Sequence, residues 1–234
     1  MSLLMEADLK DIGFKLEKAL LEVRFNQTFL FDELQKINYI AKKLRKEFPH
    51  SQRDPQNGAL ILVNPTEKTI VATLPDRVSV DSNNPVPFSS FKNLVIRSID
   101  VTTSILEVEE FNRVGLRLFF GQSMDSPEKS NEIIKDKFLK ITESEMNSNI
   151  FNPQVIFSTF EGQYGVNICI RSETNVSVQF SDSTQMQNIS HNLVFDIDVF
   201  QQNTMKLDNL NSFIKYSSEL AMKKLRSLVE IARR

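Results

Sequence analysis

Apolar and polar residues alternate between Ala19 and Phe25. The odd-numbered positions of this segment are apolar, and Glu22 and Arg24 lie on the other side. A period of two is typical of a strand with one buried face. After Thr28, which can cap a helix, apolar residues recur at a helical spacing between Leu30 and Leu44. A strand followed by a helix is therefore predicted near the start of the fold.

The middle of the chain adds a hairpin, a helix and a strand. A short polar link joins the predicted strands Ala59 to Val63 and Thr69 to Val80, which favours a hairpin. Residues Phe91 to Thr103 have the spacing of a helix, although their β-branched residues are also common in strands. A strand at Arg113 to Phe120 completes the order βαββαβ. This order predicts a ferredoxin-like N-terminal half in an α+β protein.

The polar, proline-terminated link at Gln122 to Pro127 predicts a boundary between two domains, 1–124 and 125–234. The second domain is predicted to be a four-stranded antiparallel sheet with a long C-terminal helix. Its predicted elements are a helix at Glu128 to Ile141, a strand ending at Phe160, a strand through Cys169 and Ile170, strands at Val176 to Phe180 and Leu193 to Phe200 separated by a polar loop at Ser181 to Asn192, and a helix at Leu207 to about Ala232.

The formal net charge is −2, with 28 Lys and Arg against 30 Asp and Glu. Nucleic-acid binding proteins draw much of their affinity from Lys and Arg contacts to phosphates, so this balance argues against a nucleic-acid partner. The chain begins without the apolar run of a secretion signal. It also has no run of about 18 apolar residues, which a membrane helix needs. A cytoplasmic location without membrane attachment is therefore predicted.

Scarce residue types exclude several kinds of chemistry. The six glycines are scattered and match no phosphate-binding or dinucleotide-binding loop. His50 and His191 are far apart and have no metal-binding spacing, so a zinc site is not expected. Cys169 lies in an apolar strand, where a thiol is expected to be buried and unreactive. We therefore predict no cofactor and no catalytic residue of these kinds.

Two aspartates form the best candidate metal site. Asp196 and Asp198 are two positions apart on a predicted strand, so both carboxylates project from one face and could share a divalent cation. With a third carboxylate from Glu107, Glu109 or Glu110, they would suit a metal-dependent hydrolase or nuclease. The alternative is the solvent-facing side of an antiparallel sheet, which also alternates acids with apolar residues.

Two arginines form the best candidate site for an anion or a partner. Arg113 and Arg117 flank Gly115 on one side of a predicted strand, roughly 13 Å apart. In a ferredoxin-like sheet this strand lies beside the first strand, whose outer side offers Glu22 and Arg24. Glu22 would then form a cross-strand ion pair with one of the arginines. Alternatively, the three arginines would line a groove for a carboxylate or a phosphate.

Several short motifs follow one another along nearly the whole chain. They are Ala19–Phe25 (ALLEVRF), Arg113–Arg117 (RVGLR), Asp196–Asp198 (DID) and Leu207–Leu210 (LDNL). In these motifs the chain resembles a sporadically distributed family of uncharacterised prokaryotic proteins of about this length. It departs from the family at Asn211, where a histidine is frequent. The patchy distribution of the family implies an accessory role, such as defence, and implies no specific activity.

The sequence as a whole favours a protein that works by binding. The long amphipathic C-terminal helix and the outer faces of the sheets are expected to contact a protein partner or a second copy of the chain. Arg24, Arg113 and Arg117 are the residues expected to contact that partner or a small anionic ligand. A divalent-metal-dependent hydrolase or nuclease built on Asp196 and Asp198 is the alternative function.

Overall fold

A computed structural model describes residues 2–139, 143–181 and 184–234. Its strands are β1 (Lys15–Arg24), β2 (His50–Arg53), β3 (Leu60–Asn64), β4 (Thr69–Leu74), β5 (Arg77–Asn83), β6 (Glu110–Phe111), β7 (Arg113–Met124), β8 (Gln154–Glu161), β9 (Tyr164–Ser181), β10 (Thr184–Gln201) and β11 (Met205–Lys206). Its α-helices are α1 (Ser2–Ile12), α2 (Leu34–Lys43), α3 (Phe88–Ile105), α4 (Pro127–Ile133), α5 (Glu143–Met146) and α6 (Leu210–Arg233). Single 3-10 turns precede α2 and α6, and the π-helical segment Ile134–Leu139 continues α4.

Nine of the described strands form one antiparallel sheet in the order β2-β3-β4-β5-β1-β7-β10-β9-β8. β1 is the central strand of this sheet, and its two edges pair with β5 and β7. Its alternating apolar residues pack into the core. The short strands β6 and β11 pair with each other outside the sheet. The long strands β9 and β10 form a hairpin whose outer part reaches beyond the ends of β7 and β8.

The predicted fold class is wrong, because the chain does not build a ferredoxin-like half and a separate four-stranded sheet. β7 pairs with β1 along one edge and with β10 along the other. Leu116 of β7 thus lies between Leu21 of β1 and Val199 of β10 in one row of the sheet. The backbone hydrogen bonds of β7 therefore join strands of the two predicted domains, 1–124 and 125–234, in one sheet. Within the described residues the first part contributes six strands and the second part three.

Three local predictions also need correction. The predicted strand Thr69 to Val80 is two strands, because the turn at Pro75 and Asp76 reverses the chain between β4 and β5. The predicted strands through Cys169 and at Val176 to Phe180 are one strand, β9, and the short polar strand β2 was not predicted. Most of the predicted polar loop at Ser181 to Asn192 belongs to the β9–β10 hairpin, and residues 182 and 183 lie outside the described part.

Several predicted helices are confirmed. Residues Phe91 to Thr103 lie within α3, since the helical spacing buries Phe91, Val95 and Ile99 together. The C-terminal helix follows its predicted range as α6. The predicted helix at Glu128 to Ile141 is formed by α4 and the π-helical segment as far as Leu139, beyond which it lies outside the described residues.

The hydrophobic core lies between the helices and one face of the sheet. This face presents Leu21, Leu118 and Phe195, which join Ile99 of α3 and Leu225 of α6 in one buried cluster. None of the described helices combines the length and the apolar character that a membrane span requires. The residues that alternate with the core positions lie on the other face of the sheet, which we call the open face. All the site residues predicted from the strands lie there.

Candidate binding face

Four neighbouring strands bring charged residues together on the open face. We call this set the arginine network; it consists of Glu22 and Arg24 of β1, Arg113 and Arg117 of β7, Arg171 and Glu173 of β9, and Asp196 and Asp198 of β10. Because the strands are antiparallel and side by side, every second residue of each strand contributes to the same surface. The ion pairs form two neighbouring groups, Arg24–Glu22–Arg113–Asp198 and Arg117–Asp196–Arg171–Glu173, which together cover β1, β7, β10 and β9.

Asp196 is the centre of the network. Its carboxylate accepts two hydrogen bonds from Arg117, at 2.7 Å from Nε and 2.6 Å from Nη2, and a third at 2.9 Å from Nη1 of Arg171. Only 2% of the Asp196 side chain is exposed. A buried carboxylate needs such partners, because desolvation strongly disfavours an unpaired charge. The two guanidinium groups therefore cover Asp196 and are held in place by it.

The pKa values of the two arginines reflect this pairing. Hydrogen bonds to Asp196 raise the pKa of Arg117 above its ordinary value. Burial alone would lower the pKa of Arg171, but hydrogen bonds to Cys169, Glu173 and Asp196 raise it. Both groups therefore stay charged at neutral pH.

The other end of the network contains the ion pair that the register of β1 and β7 suggested. Nη1 of Arg113 lies 3.3 Å from Oε1 of Glu22, and the same carboxylate lies 2.6 Å from Nε of Arg24. Nη2 of Arg113 reaches Asp198 at 3.4 Å, and Nδ2 of Asn167 donates to Asp198 at 3.3 Å. Burial raises the pKa of Asp198, while Arg113 opposes that change. Arg113 is less exposed than Arg117, with 21% of its side chain accessible against 45%.

Two aromatic rings support the guanidinium groups from the sheet. The centres of the Arg117 and Arg171 guanidinium groups lie 5.0 and 5.7 Å from the ring centroid of Phe119. That of Arg113 lies 5.1 Å from the ring of Phe200. Guanidinium groups are attracted to aromatic faces at such distances. The two rings therefore help to hold the guanidinium groups in position above the sheet.

A trough of about 570 Å³ opens beside Arg117 on the β8 side of the network. Arg171 and Asp198 border it, and Asn167 and the exposed Ile156 line it. Hydroxyl and amide groups in the trough already pair with each other, as Ser158 donates to Asn167 at 2.7 Å. The trough thus combines paired arginines and aspartates, polar walls and the exposed aliphatic side chain of Ile156.

Cys169 also faces the trough, so the prediction that it is buried in the core is wrong. Its neighbours Ile168 and Ile170 point into the core, and the alternation of β9 places the thiol between them on the open face. The thiol is partly exposed, and Nε2 of Gln154 lies 3.0 Å from its sulfur.

The carboxylates proposed for a metal site do not meet. Asp196 and Asp198 do share the open face, but each is paired with arginine. Glu107, Glu109 and Glu110 line a different cavity of about 620 Å³ beside residues 25–30. Within the described residues no group of three potential His, Cys, Asp or Glu ligands comes together.

The comparisons with known proteins find similarity among solved structures only. No protein-family model and no curated protein matches the sequence. Among solved structures, the fold is similar to that of Methanococcus jannaschii TBP. The sequence identity is 8%, the TM-score is 0.38, and the match covers 94% of this chain and 98% of that chain. A similarity at this level carries no argument about ligand or activity, so the function has to be inferred from the open face.

Two members of the network were missed from the sequence. Arg171 and Glu173 continue the alternation of Val166, Ile168 and Ile170 on β9, so the pattern assigns them to the outer face. Which residues of β10 lie beside them depends on the pairing of β9 with β10, which the sequence does not show. The sequence pattern therefore indicated the face of the sheet on which Arg171 and Glu173 lie, but not the residues with which they pair.

A pH-dependent effect is expected at Glu17, at the bulge of β1 beside Gly121. Burial raises the pKa of Glu17 above its ordinary value of 4.5, and Glu173 adds to this effect. The charged form is therefore less favourable in the folded than in the unfolded state. Glu17→Gln should raise the thermal midpoint at neutral pH, and the gain should shrink as the pH falls through the raised pKa and vanish below 4.5.

The control for this measurement is Glu161→Gln. Hydrogen bonds from Lys224 and Lys223 lower the pKa of Glu161 to about 2. Its charged form therefore stabilises the folded state above pH 4.5, and this contribution is lost as the pH falls towards 2. The variant should lower the midpoint at neutral pH, opposite in sign to Glu17→Gln. Equal signs for the two variants would contradict the assignment.

Proposed function

We propose that the protein is a non-catalytic binding protein whose open face binds an acidic segment of a protein partner. The observation that carries this proposal is the state of Arg117. Its guanidinium is fixed by Asp196, yet 45% of the side chain is exposed. A fixed and exposed guanidinium binds a carboxylate at little entropic cost, because its geometry is already set.

The donor count of Arg117 supports a further ligand. A guanidinium has five N–H donors, and Asp196 takes one from Nε and one from Nη2. The remaining donors include both hydrogens of Nη1. Asp196 also pairs with Arg171, whose charge is balanced further by Glu173. An incoming carboxylate therefore finds free N–H donors on Arg117.

The trough defines the rest of the ligand. Ile156 is exposed at its outer side, and an exposed aliphatic side chain gains from contact with another apolar group. A segment with an acidic residue next to an aliphatic one would place the carboxylate on Arg117 and the apolar group on Ile156. Arginine and aromatic residues are also enriched at the energetic centres of protein interfaces.

Charge balance supports a protein segment over a polyanion. Each arginine of the network lies beside a carboxylate, from Glu22 at one end to Glu173 at the other. A nucleic-acid backbone would need many uncompensated cations. A single carboxylate of a protein segment can bind through the N–H groups of Arg117 that Asp196 does not use.

A random peptide library displayed on phage tests this proposal. Selection on the immobilised wild-type protein should enrich peptides with Asp or Glu beside an aliphatic residue. Arg117→Gln should weaken their binding by about tenfold, because a hydrogen bond between charged groups contributes about 1.5 kcal/mol or more. Fluorescence anisotropy of the enriched peptides gives both affinities.

The matched control is Arg97→Gln on α3. The Arg97 side chain is 48% exposed and its contact with Glu47 is 3.8 Å long, so the variant removes an equally exposed arginine away from the open face. Its peptide affinity should equal that of the wild type. Enrichment of peptides without acidic residues, or an equal loss in both variants, would contradict the proposal.

A further inference from the structure

The two outer strands of the sheet differ sharply in their composition. β2 is four residues long, polar throughout and carries Arg53. β8, with the sequence QVIFSTFE, is twice as long and contains no Lys, Arg or Pro. Proteins protect outer strands with shortness, charge or proline, since a free strand edge binds further strands. β2 is protected in this way and β8 is not.

The exposed residues of β8 strengthen this contrast. Ile156 and Phe160 on the open face, and Phe157 on the opposite face, are all exposed large apolar side chains. β8 pairs with β9 along one edge, and within the described residues no strand pairs with its other edge. An exposed apolar edge of this length is typical of a surface that is covered by another strand.

We propose that this edge pairs with β8 of a second copy, antiparallel and about a two-fold axis at Ser158. In that register Ile156 lies opposite Phe160 of the second copy, and Phe157 lies opposite its Thr159. Directly opposed residues of antiparallel strands share a face, so the apolar side chains cover one another. This inference does not depend on the proposed function.

The charges of two paired β8 strands are also compatible with this register. Its one charged residue, Glu161, would lie opposite Val155 of the second copy, so no like charges meet across the axis. Glu161 is already paired with Lys223 and Lys224 of α6 in its own chain. Moving the axis by one residue, to Phe157, would instead place Phe160 opposite Gln154. The register at Ser158 is the one that pairs the exposed apolar residues.

The pairing has a consequence for the trough. Gln154, Ile156 and Ser158 of β8 line its outer side. In the dimer, Phe160 of the second copy would lie against Ile156 at this side, and an apolar group in the trough would contact both side chains. Each trough would then be bordered by an aromatic ring of the second copy, and the two open faces would form one continuous surface.

Native mass spectrometry of the full chain tests the dimer. The wild type should have twice the 26.9 kDa mass of the chain. Phe160→Lys should shift it to the single-chain mass, because the exposed lysine puts a charge into the apolar contact. Phe29→Lys is the matched control, since Phe29 is 79% exposed and Phe160 78%, and Phe29 lies far from β8 in the 25–30 segment. The control should remain a dimer.

Two cysteine variants in a Cys169→Ser background test the register. Ser158→Cys should form a disulfide between the copies under mild oxidation, because opposed Cα atoms lie about 5 Å apart in an antiparallel pair. Ile156→Cys should not, since the two cysteines would be roughly 13 Å apart. A wild-type monomer overturns the proposal, and so does a dimer that Phe160→Lys leaves intact. A disulfide with Ile156→Cys but not with Ser158→Cys overturns the register.

Discussion

Phe195→Ala is expected to lower the free energy of unfolding by about 4 kcal/mol, because a large ring would leave a cavity that the core cannot refill. Phe195 of β10 is fully buried. Its ring stacks on Phe14 at 5.2 Å between centroids and meets Phe138 edge-on at 6.0 Å. It therefore joins β10 to the segment after α1 and to the π-helical segment after α4. Urea unfolding followed by circular dichroism measures the loss.

Phe151→Ala is the control for this prediction. Phe151 is almost fully exposed just before β8, so its truncation should change the free energy of unfolding by at most about 0.5 kcal/mol. A loss below about 1 kcal/mol for Phe195→Ala would show that the helices do not pack on this face of the sheet as described.

Asp196→Ala is expected to lower the free energy of unfolding by about 3 kcal/mol, because two arginines would lose their shared buried partner. The effect lies at the lower end for buried ion pairs, since Arg117 is partly exposed and can regain water. The variant should also weaken binding of acidic peptides, because Arg117 would no longer be held in one direction. Chemical denaturation and peptide titration of the same sample give both results.

Asp125→Ala provides the matched control for the loss of an ion pair. Asp125 pairs with Lys129 one helical turn away, and both side chains are mostly exposed. Exposed pairs contribute little to stability, so this variant should lie within about 0.5 kcal/mol of the wild type. An Asp196→Ala protein as stable as Asp125→Ala would mean that the arginine network is not a structural unit.

Local patterns predicted those parts of the fold that depend on one face of one element. The alternation in β1 and the spacing in α3 and α6 identify which residues enter the core, and these assignments agree with the structure. The division of Thr69 to Val80 was missed because apolar residues occupy even-numbered positions before and after the turn, as they would in one strand, whereas the buried positions are odd-numbered in β4 and even-numbered in β5. Pro75 was the signal for that turn, since proline rarely occurs inside a paired strand.

The pairing of distant strands could not be predicted from such patterns. Nothing in the period of β7 or β10 specifies that their edges meet, because backbone hydrogen bonds are the same for every sequence. The segment Ser181 to Asn192 reads as a polar loop, since most of its residues are polar and show no apolar alternation. The single nine-stranded sheet therefore emerges only from the structure.

The sequence predicted on which side of its strand each candidate residue lies, but not which of these residues pair with one another. The spacing of Arg113 and Arg117, and of Asp196 and Asp198, places each pair on one side of its strand, and the structure agrees. That the two pairs lie on adjacent strands, and therefore neutralise each other, depends on β7 meeting β10. This contact changes the aspartates from candidate metal ligands into partners of the arginines.

The most direct test of the account is an NMR titration of the arginine Nε–H groups with a blocked leucine-glutamate-leucine peptide. The Arg117 signal is expected to shift with increasing peptide, while the signal of Arg97 is expected to stay unchanged. The same peptide with glutamine in place of glutamate should leave both signals unchanged. An unchanged Arg117 signal, or equal shifts at Arg117 and Arg97, would contradict the claim that the open face is a binding surface anchored by Arg117.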